Sequence, residues 1–454
     1  MPLNIVILAA GKGSRMLSSL PKVLHPVGGL PMLAHVINTG LSMNPNAIHV
    51  VYGHGGEQVK SLLTQYKINW VEQKEQLGTG HAVMQAIPNI PDDDTVLILY
   101  GDVPLISEAT LQQVVENSET NKLSLLTAKL KNPSGYGRML RDMQGQLTGI
   151  KEQKDASEDQ LLIDEVNTGF LACNAGLLRG WLALLGNTNA QGEYYLTDIV
   201  EMAATSGIEI ESCFAAEEAE ILGVNDRKQL ANIERLYQTR YIDDLMLKGV
   251  TLLDPSRVDV RGQLNAGQDC TIDINTLFEG EVSLGDNVSI GANCCIKNAI
   301  IGNDVVIKPN CVIEDAQIGN ASTIGPFARI RPDTVLAENV HVGNFVEIKK
   351  SSIGQGSKVN HLSYIGDTEM GSKVNVGAGT ITCNYDGAYK HLTQIGDNVF
   401  IGSDTQLIAP VKVEDGATIG AGSTISKTAP ANELTLSRTP QQTIKGWDRP
   451  VKKK

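Results

Sequence analysis

From about residue 250 onward the chain keeps a six-residue period. Ile318, Ile324, Ile330, Leu336, Val342 and Ile348 fall six apart, and so do Ile395, Ile401, Leu407, Val413, Ile419 and Ile425. Ile353, Val359 and Ile365 continue the series between the two runs. A period of six matches neither the 3.6-residue turn of an α-helix nor the alternation of a lone strand. It is the signature of a parallel β-helix, in which one aliphatic side chain per short face points inward and stacks on its equivalents in neighbouring coils. Gly commonly follows the aliphatic, as in "IGNAST", "VGNFVE" and "IGAGST". Gly, Asn and Asp are the residues that turn corners at positive φ with least strain. The segment "TITCNYDGAYKHLTQ" breaks the period and reads as a protruding loop, where solenoids commonly carry binding residues.

The first 225 residues have a different texture. "NIVILAA", "IHVVYG", "TVLILYGDVP" and "LSLLTAKL" are short apolar runs, separated by helix-like segments such as "PMLAHVINTGL" and "HAVMQAIPNI". That alternation predicts an α/β domain, Rossmann-like, with a mostly parallel sheet. Such sheets bind ligands at the carboxyl ends of their strands, where "AAGKG" and "YGDVP" fall. Residues 226–248 predict one helix. Asp226 is placed to cap it with Gln229 as its capping-box partner. Leu230, Ile233, Tyr237, Tyr241 and Leu245 form the apolar stripe, and Gly249 is placed to stop it. The expected organisation is an α/β domain over 1–227, a helical linker over 228–248 and a repeat domain over 249–454.

The formal charge of −13 argues against nucleic acid as a primary partner. It leaves anionic small molecules open, because local cations outweigh a distant net charge. No apolar run reaches membrane-spanning length, so no membrane insertion is expected. "NIVILAA" runs at once into "GKGSR" without a basic flank, unlike a secretory signal. The seven cysteines include no C-x-x-C pair. They read as small buried hydrophobes of a reducing, cytoplasmic environment.

"GKGSRM" fails the dinucleotide fingerprint, which needs Gly where Met16 stands, and it lacks the P-loop pattern. Its physical content remains. Gly11 and Gly13 let backbone N–H groups approach a phosphate, Lys12, Arg15 and Lys22 offer countercharge, and a helix beginning nearby would add its positive end. Taken alone, Asp102 before Val-Pro reads as a turn former.

The segments "LAAGKGSRM…PKVLHPV", "EQLGTGHA", "LYGDVPL", "NPSGYGRML", "EVNTGF", "GEYYLTD" and "GVND" occur in this order. Together they resemble the sugar-phosphate nucleotidyltransferases, and the repeat half resembles the left-handed β-helix family. Spacing does not set the hand of a solenoid; the resemblance implies it. Over essentially its whole length the chain resembles the bacterial bifunctional N-acetylglucosamine-1-phosphate uridylyltransferases and glucosamine-1-phosphate N-acetyltransferases. The resemblance implies acetyl-CoA-dependent acetylation of glucosamine 1-phosphate, then transfer of a uridylyl group from UTP to N-acetylglucosamine 1-phosphate. It also implies a homotrimer with active sites in clefts between subunits.

By the same resemblance, Lys12, Arg15 and Lys22 surround the phosphates, and Asp102 and Asn225 hold Mg²⁺. These are hard oxygen ligands suited to that ion. Leu8, Ala9, Ala10, Gly11, Gln73, Gln76, Gly78, Thr79, Tyr100 and Gly101 line the nucleotide site. Gly137, Glu152, Asn167 and Thr168 meet the sugar. In the repeats Arg331 and Lys349 clamp a sugar phosphate, Tyr364 and Asn375 orient the sugar, and His361 is the general base. Ala378, Asn384, Tyr385, Ser403, Ala421 and Arg438 contact acetyl-CoA. An acyl intermediate on Cys383 ranks below direct attack, and a zinc site of His341, His361 and His391 lacks a close ligand pattern. The competing readings are a single-activity nucleotidyltransferase or a regulatory subunit whose repeats only oligomerise. The basic end "TIKGWDRPVKKK" reads as a tail.

Overall fold

The computed structural model describes residues 1–53, 55–118 and 122–452; the last two lysines of the tail lie outside the described residues. The chain forms two compact units, Met1–Tyr237 and Gln238–Lys454. The division falls inside the expected helix, which runs Arg227–Leu247. Among the described residues no helix is long and apolar enough to cross a membrane.

The first unit is built on a twisted sheet. Its main path runs Ile210–Phe214, Leu123–Lys129, Glu165–Asn174, Thr95–Tyr100, Leu3–Ala9, Ala47–Tyr52, Asn69–Glu72. Ile5, Val6 and Ile7 are fully buried because the central strand is covered on both faces. Helices Met32–Ser42 and Thr79–Ala86 supply that cover where the apolar patterns placed them. All neighbouring pairs are parallel except those of Glu165–Asn174, which runs antiparallel to both neighbours. It follows the hairpin of Arg138–Arg141 and Leu147–Lys151. An antiparallel strand needs no helical crossover to enter the sheet.

Register brings Ala9, Tyr52 and Tyr100 to one edge of this sheet, since Ala9 pairs with Tyr52 and Leu8 with Tyr100. The loops that follow those strands therefore share one rim. One expectation fails there. No α-helix follows the glycines; the chain makes only the 3-10 turn Ser14–Met16, which Leu17 ends in left-handed backbone. The loop has no helix dipole to offer, so its anion-binding capacity rests on loop amides and cations.

The helix Arg227–Leu247 starts as expected, with Gln229 N–H donating to Asp226 Oδ1 at 2.8 Å. The reciprocal bond differs: Gln229 Oε1 accepts from the N–H of Asn225, not Asp226. Gly249 at φ +100 ends the helix, and Val250 N–H donates back to the Leu245 carbonyl. The stripe also holds a buried polar residue that periodicity does not flag. Gln238 both donates to and accepts from the Val260 backbone, at 2.8 Å each way.

In the second unit every aliphatic of the six-residue series is buried, none more than 3% exposed. All pairings between its named strands are parallel, and steps of 17 or 18 residues carry each position to its equivalent one coil on. Three faces close each coil. Corners carry the left-handed residues: one column climbs through Gly262, Gly280, Asn298, Asp315, Asp333, Lys350 and Asp367, all at positive φ. A Cβ at Gly262 would drive into the Gly280 backbone, so the tightest corners admit only glycine. A second column departs from the rule, placing Phe327, Phe345 and Leu362 at positive φ and exposed. The expected loop is present, and around it the step between equivalent positions lengthens to 25 residues.

The cysteine expectation holds in part. Cys173, Cys270, Cys294 and Cys311 are buried, whereas Cys213, Cys295 and Cys383 are only half-buried, Cys213 packing against the core from the edge strand of the sheet.

Candidate functional site

The rim of the first unit encloses a cavity of about 450 Å³. Leu8, Ala9, Ala10, Gly11, Lys12, Lys22, Gln73, Gln76, Gly78, Thr79, Tyr100 and Asp102 line it, together with Val23, Ala82 and Glu193. A Cβ at Gly11 would meet nothing within 4 Å, so the loop leaves open room beside its backbone. Gly101 closes the rim, its N–H donating to the Leu8 carbonyl at 3.0 Å. Arg15 does not line the cavity; it is exposed on the 3-10 turn. Gln73 Nε2 donates to the Gly78 carbonyl, and Gln76 Nε2 to the Gln73 carbonyl.

Three polar side chains far apart in sequence meet at the cavity. Lys22 Nζ contacts Asp102 Oδ2 and lies 3.3 Å from Asn225 Oδ1. The Gln229 bond described above anchors the Asn225 backbone at the helix start. The carboxylate and amide oxygens thus converge on one cationic centre, so the donor set fits a hard divalent ion.

A second cluster joins Gly137, Glu152 and Asn167. Asn167 N–H donates to the Gly137 carbonyl at 2.9 Å, and its Oδ1 accepts from Gly169 N–H. The strand register slips between Asn167 and Leu171, which lifts this stretch off the ladder. Thr197 Oγ1 donates to Glu152 Oε1 at 3.2 Å. Burial pushes the Glu152 carboxyl above the usual range, against the Thr197 bond that favours its charged form. Burial also raises the Tyr100 phenol, and the Glu152 and Asp102 carboxylates add to the rise. The Thr168 hydroxyl donates to the Leu126 carbonyl at 2.7 Å and accepts from Phe170 N–H at 3.3 Å.

The second constellation straddles the solenoid corner at Leu362. His361 ends the strand Lys358–His361 before the corner, and Tyr364 opens the strand Tyr364–Gly366 after it. His361 is exposed, and its Nδ1 lies 2.9 Å from Asn344 Oδ1. The tautomer with its proton on Nδ1 is the one that can donate to this amide oxygen, and it leaves Nε2 as the acceptor. Arg331 pairs with Glu347 at 2.7 Å. Lys349, in register with Gly366, reaches Asp367. Asn375 stands one coil above Lys358.

Ala378, Ser403 and Ala421 climb successive coils. Asp404 N–H donates to the Ala378 carbonyl, Gly422 N–H to the Ser403 carbonyl and Arg438 Nη1 to the Ala421 carbonyl. Ala378 is half-buried and Ser403 and Ala421 are exposed, so this strip of small side chains stands at the surface beside Arg438. The loop is a tight hairpin: Tyr385 bridges Lys390, whose ammonium lies 4.2 Å from the tyrosine ring centre. Asp386 accepts from Ala388 N–H, Tyr389 N–H and His391 Nε2, and these partners hold its carboxyl well below the usual range. Asn384 is largely buried at the base of the loop, its amide nitrogen donating to Asp367 at 2.5 Å. Among the described residues of the chain there is no group of three His, Cys, Asp or Glu side chains placed to hold a metal ion.

Glu193, Thr197, Asn344 and Asp367 are site neighbours that sequence reasoning did not single out. "GEYYLTD" marked the region of the first two, but nothing local marks the others.

Residues 5–161 match the MobA-like NTP transferase domain, residues 260–354 the GMPPB C-terminal domain, and residues 392–427 the bacterial transferase hexapeptide family of six repeats. The chain is 56% identical over 451 residues to the bifunctional protein GlmU of Cupriavidus pinatubonensis, covering 99% of both chains. A nucleotidyl transferase structure from Methanothermobacter thermautotroptrophicus is similar at 20% identity and a TM-score of 0.38, over 52% of this chain and 97% of that one.

Proposed function

The chain belongs to the bifunctional GlmU proteins, a nucleotidyltransferase and an acetyltransferase of UDP-N-acetylglucosamine synthesis in one polypeptide, and from that premise we propose which residues carry each reaction. Its second unit is the left-handed β-helix of hexapeptide repeats.

In the α/β unit a phosphate oxygen of N-acetylglucosamine 1-phosphate attacks the α-phosphorus of UTP, and the bond to pyrophosphate breaks. No protein nucleophile is required; charge neutralisation and in-line positioning carry the step. Lys12 and the amides around Gly11 hold the triphosphate. Lys22 turns from Asp102 toward phosphate oxygens, leaving Asp102 and Asn225 to hold Mg²⁺. That ion supplies countercharge to the phosphates. Because the amide nitrogen of Gln76 already donates to the Gln73 carbonyl, its carbonyl oxygen is the group that accepts from the one uracil ring N–H, while the more buried Gln73 holds Gly78 beside it. Gly137, Glu152 and Asn167 meet the sugar hydroxyls and N-acetyl group. Arg15, outside the cavity wall, acts at longer range on the pyrophosphate end.

In the repeat unit His361 Nε2 takes a proton from the amine of glucosamine 1-phosphate. The amine attacks the thioester carbonyl of acetyl-CoA, the carbon–sulfur bond breaks, and the leaving thiolate receives the proton from His361. A positioned base of this kind contributes roughly 10²–10⁴-fold. Arg331 and Lys349 hold the sugar phosphate, with Tyr364 and Asn375 orienting the ring. Tyr385, Asn384 and the backbone strip of Ala378, Ser403 and Ala421 receive acetyl-CoA, with Arg438 near its phosphates. The exposed side of His361 is closed by another subunit of a homotrimer in the cytoplasm, and the product feeds envelope polysaccharide synthesis.

The observation that carries this reading is the meeting of Asp102 and Asn225 around Lys22 across 203 residues of chain. Its test is Asp102→Asn and His361→Ala, each assayed for both reactions. Asp102→Asn should lose uridylyl transfer and keep acetylation, and His361→Ala should do the reverse. Near-normal acetylation in His361→Ala would remove His361 as the base.

A further inference from the structure

Asp367 sits in the corner column that begins at Gly262, and by position it looks like one more turn former. Its surroundings say otherwise. Asp315 and Asp333, lower in the same column, are exposed, whereas Asp367 is 8% exposed. A carboxylate taken out of water needs partners. Asn384 Nδ2 donates to Asp367 Oδ2 at 2.5 Å, and Lys349 Nζ lies 3.4 Å from the same oxygen. Lys350 Nζ stands 3.9 Å from Oδ1, but its side chain is 62% exposed against 24% for Lys349. The buried pair is therefore Lys349–Asp367.

Two side chains with different tasks thus share one oxygen. Lys349 ends the strand Glu347–Lys349, and Asn384 follows the strand Ile381–Cys383. Asn384 also reaches the Tyr364 hydroxyl, at 3.4 Å. A lysine ammonium on its four-carbon stem loses rotamer freedom on binding a phosphate, and prior fixing lowers that cost.

We propose that Asp367 is a positioning residue of the acetyltransferase site, which fixes the Lys349 ammonium and the Asn384 amide relative to one another and so sets the sugar phosphate in register with acetyl-CoA. The inference rests on the substrate roles given above to Lys349 and Asn384. Asp367 touches neither substrate and acts through those two side chains.

The column itself supplies the test variants. Asp367→Asn removes the charge and leaves the residue type of Asn298; Asp367→Gly leaves that of Gly262 and Gly280. Both residue types accept left-handed backbone. In the full-length enzyme, each variant should raise KM for glucosamine 1-phosphate and for acetyl-CoA about tenfold, the scale of a lost charge-assisted bond. Acetylation kcat should change far less, and uridylyl transfer by the same preparation should not change. In a Lys349→Gln background, Asp367→Asn should no longer raise KM for glucosamine 1-phosphate.

Unchanged KM values in both Asp367 variants, with Lys349→Gln raising KM for the sugar phosphate, would overturn the proposal and leave the substrate assignment standing. Unchanged KM values in Lys349→Gln and Asn384→Ala would overturn the assignment and the proposal together. Loss of folding in both Asp367 variants, read as an early melting transition, would make the carboxylate structural and also overturn it.

Discussion

Gly366 gives the sharpest handle on the proposed acetyltransferase site. Its backbone is not in the left-handed region, so alanine is conformationally acceptable there. Space is the obstacle. A Cβ at Gly366 would press on the Tyr364 hydroxyl, 2.7 Å from Tyr364 Cζ and 2.8 Å from Asn384 Nδ2. Ordinary contact begins near 3.4 Å. Gly366 cannot retreat, because its N–H donates to Thr382 Oγ1 at 2.7 Å inside the solenoid. Tyr364 and Asn384 must therefore each give way, by a displacement on the order of 1 Å, enough to cost about 10²-fold in a positioned site. The strain of overpacking adds about 1–3 kcal/mol against stability. Gly366→Ala should lower kcat/KM for acetyl transfer about a hundredfold while uridylyl transfer by the same protein stays within about twofold. Tyr364→Phe placed on top of it removes the clashing hydroxyl but keeps the ring carbon at 2.7 Å, so most of the loss should persist, whereas Tyr364→Ala on top of it removes the ring clash altogether. Wild-type acetylation in Gly366→Ala, with the variant folded, would refute the placement of Tyr364 and Asn384 in the site.

Asn344→Ala should lower acetylation kcat by about tenfold with little change in KM, because His361 loses the acceptor that fixes its tautomer; Asn344→Asp, which keeps an acceptor, should retain most activity, and steady-state kinetics separates the two. Gln238→Leu leaves the Val260 N–H and carbonyl without their buried partner, and should destabilise the solenoid by about 2–4 kcal/mol in urea unfolding. His49 is buried, and neither ring nitrogen has a hydrogen-bond partner among the described residues. Burial lowers its pKa in the folded state, so below the unfolded value near 6.5 the unfolded chain binds a proton that the folded chain refuses. Stability of the α/β unit should therefore fall as pH drops from 6.5 toward the lowered value. His49→Leu should flatten that slope by up to about 1.4 kcal/mol per pH unit in denaturant titrations.

Periodic features were legible because they repeat one local rule. Each aliphatic from Ile318 to Ile425 is buried for the same reason, so the spacing alone identifies the solenoid. Ala10, Gly11 and Asp102 were legible as strand-end residues because a parallel sheet places its loops on one rim. The features that escaped depend on partners far away in sequence. Asp367 has the corner habit of Asp315, and only the arrival of Asn384 and Lys349 makes it different. Gln238 sits among the stripe positions as a polar surface residue would, until Val260 meets it. The Thr168 hydroxyl donates to Leu126 across the sheet, a bond that nothing next to it in "EVNTGF" announces. The missing helix after Gly13 shows the limit of loop patterns: glycines and cations describe an anion site, and the left-handed Leu17 sets the course of the chain beyond it.

The ladder of equivalent positions constrains how such a chain can change length. Adding one residue inside a face would swing every later aliphatic out of its stack, whereas adding a loop at a corner moves none of them. The stretch around Tyr385 shows the second case: the step widens to 25 residues, and the next returns to 18 with Thr393 paired to Val411. Insertions and deletions in this half are therefore either silent or ruinous, depending on where in the coil they fall. New binding loops can accumulate at corners while the interior stays frozen.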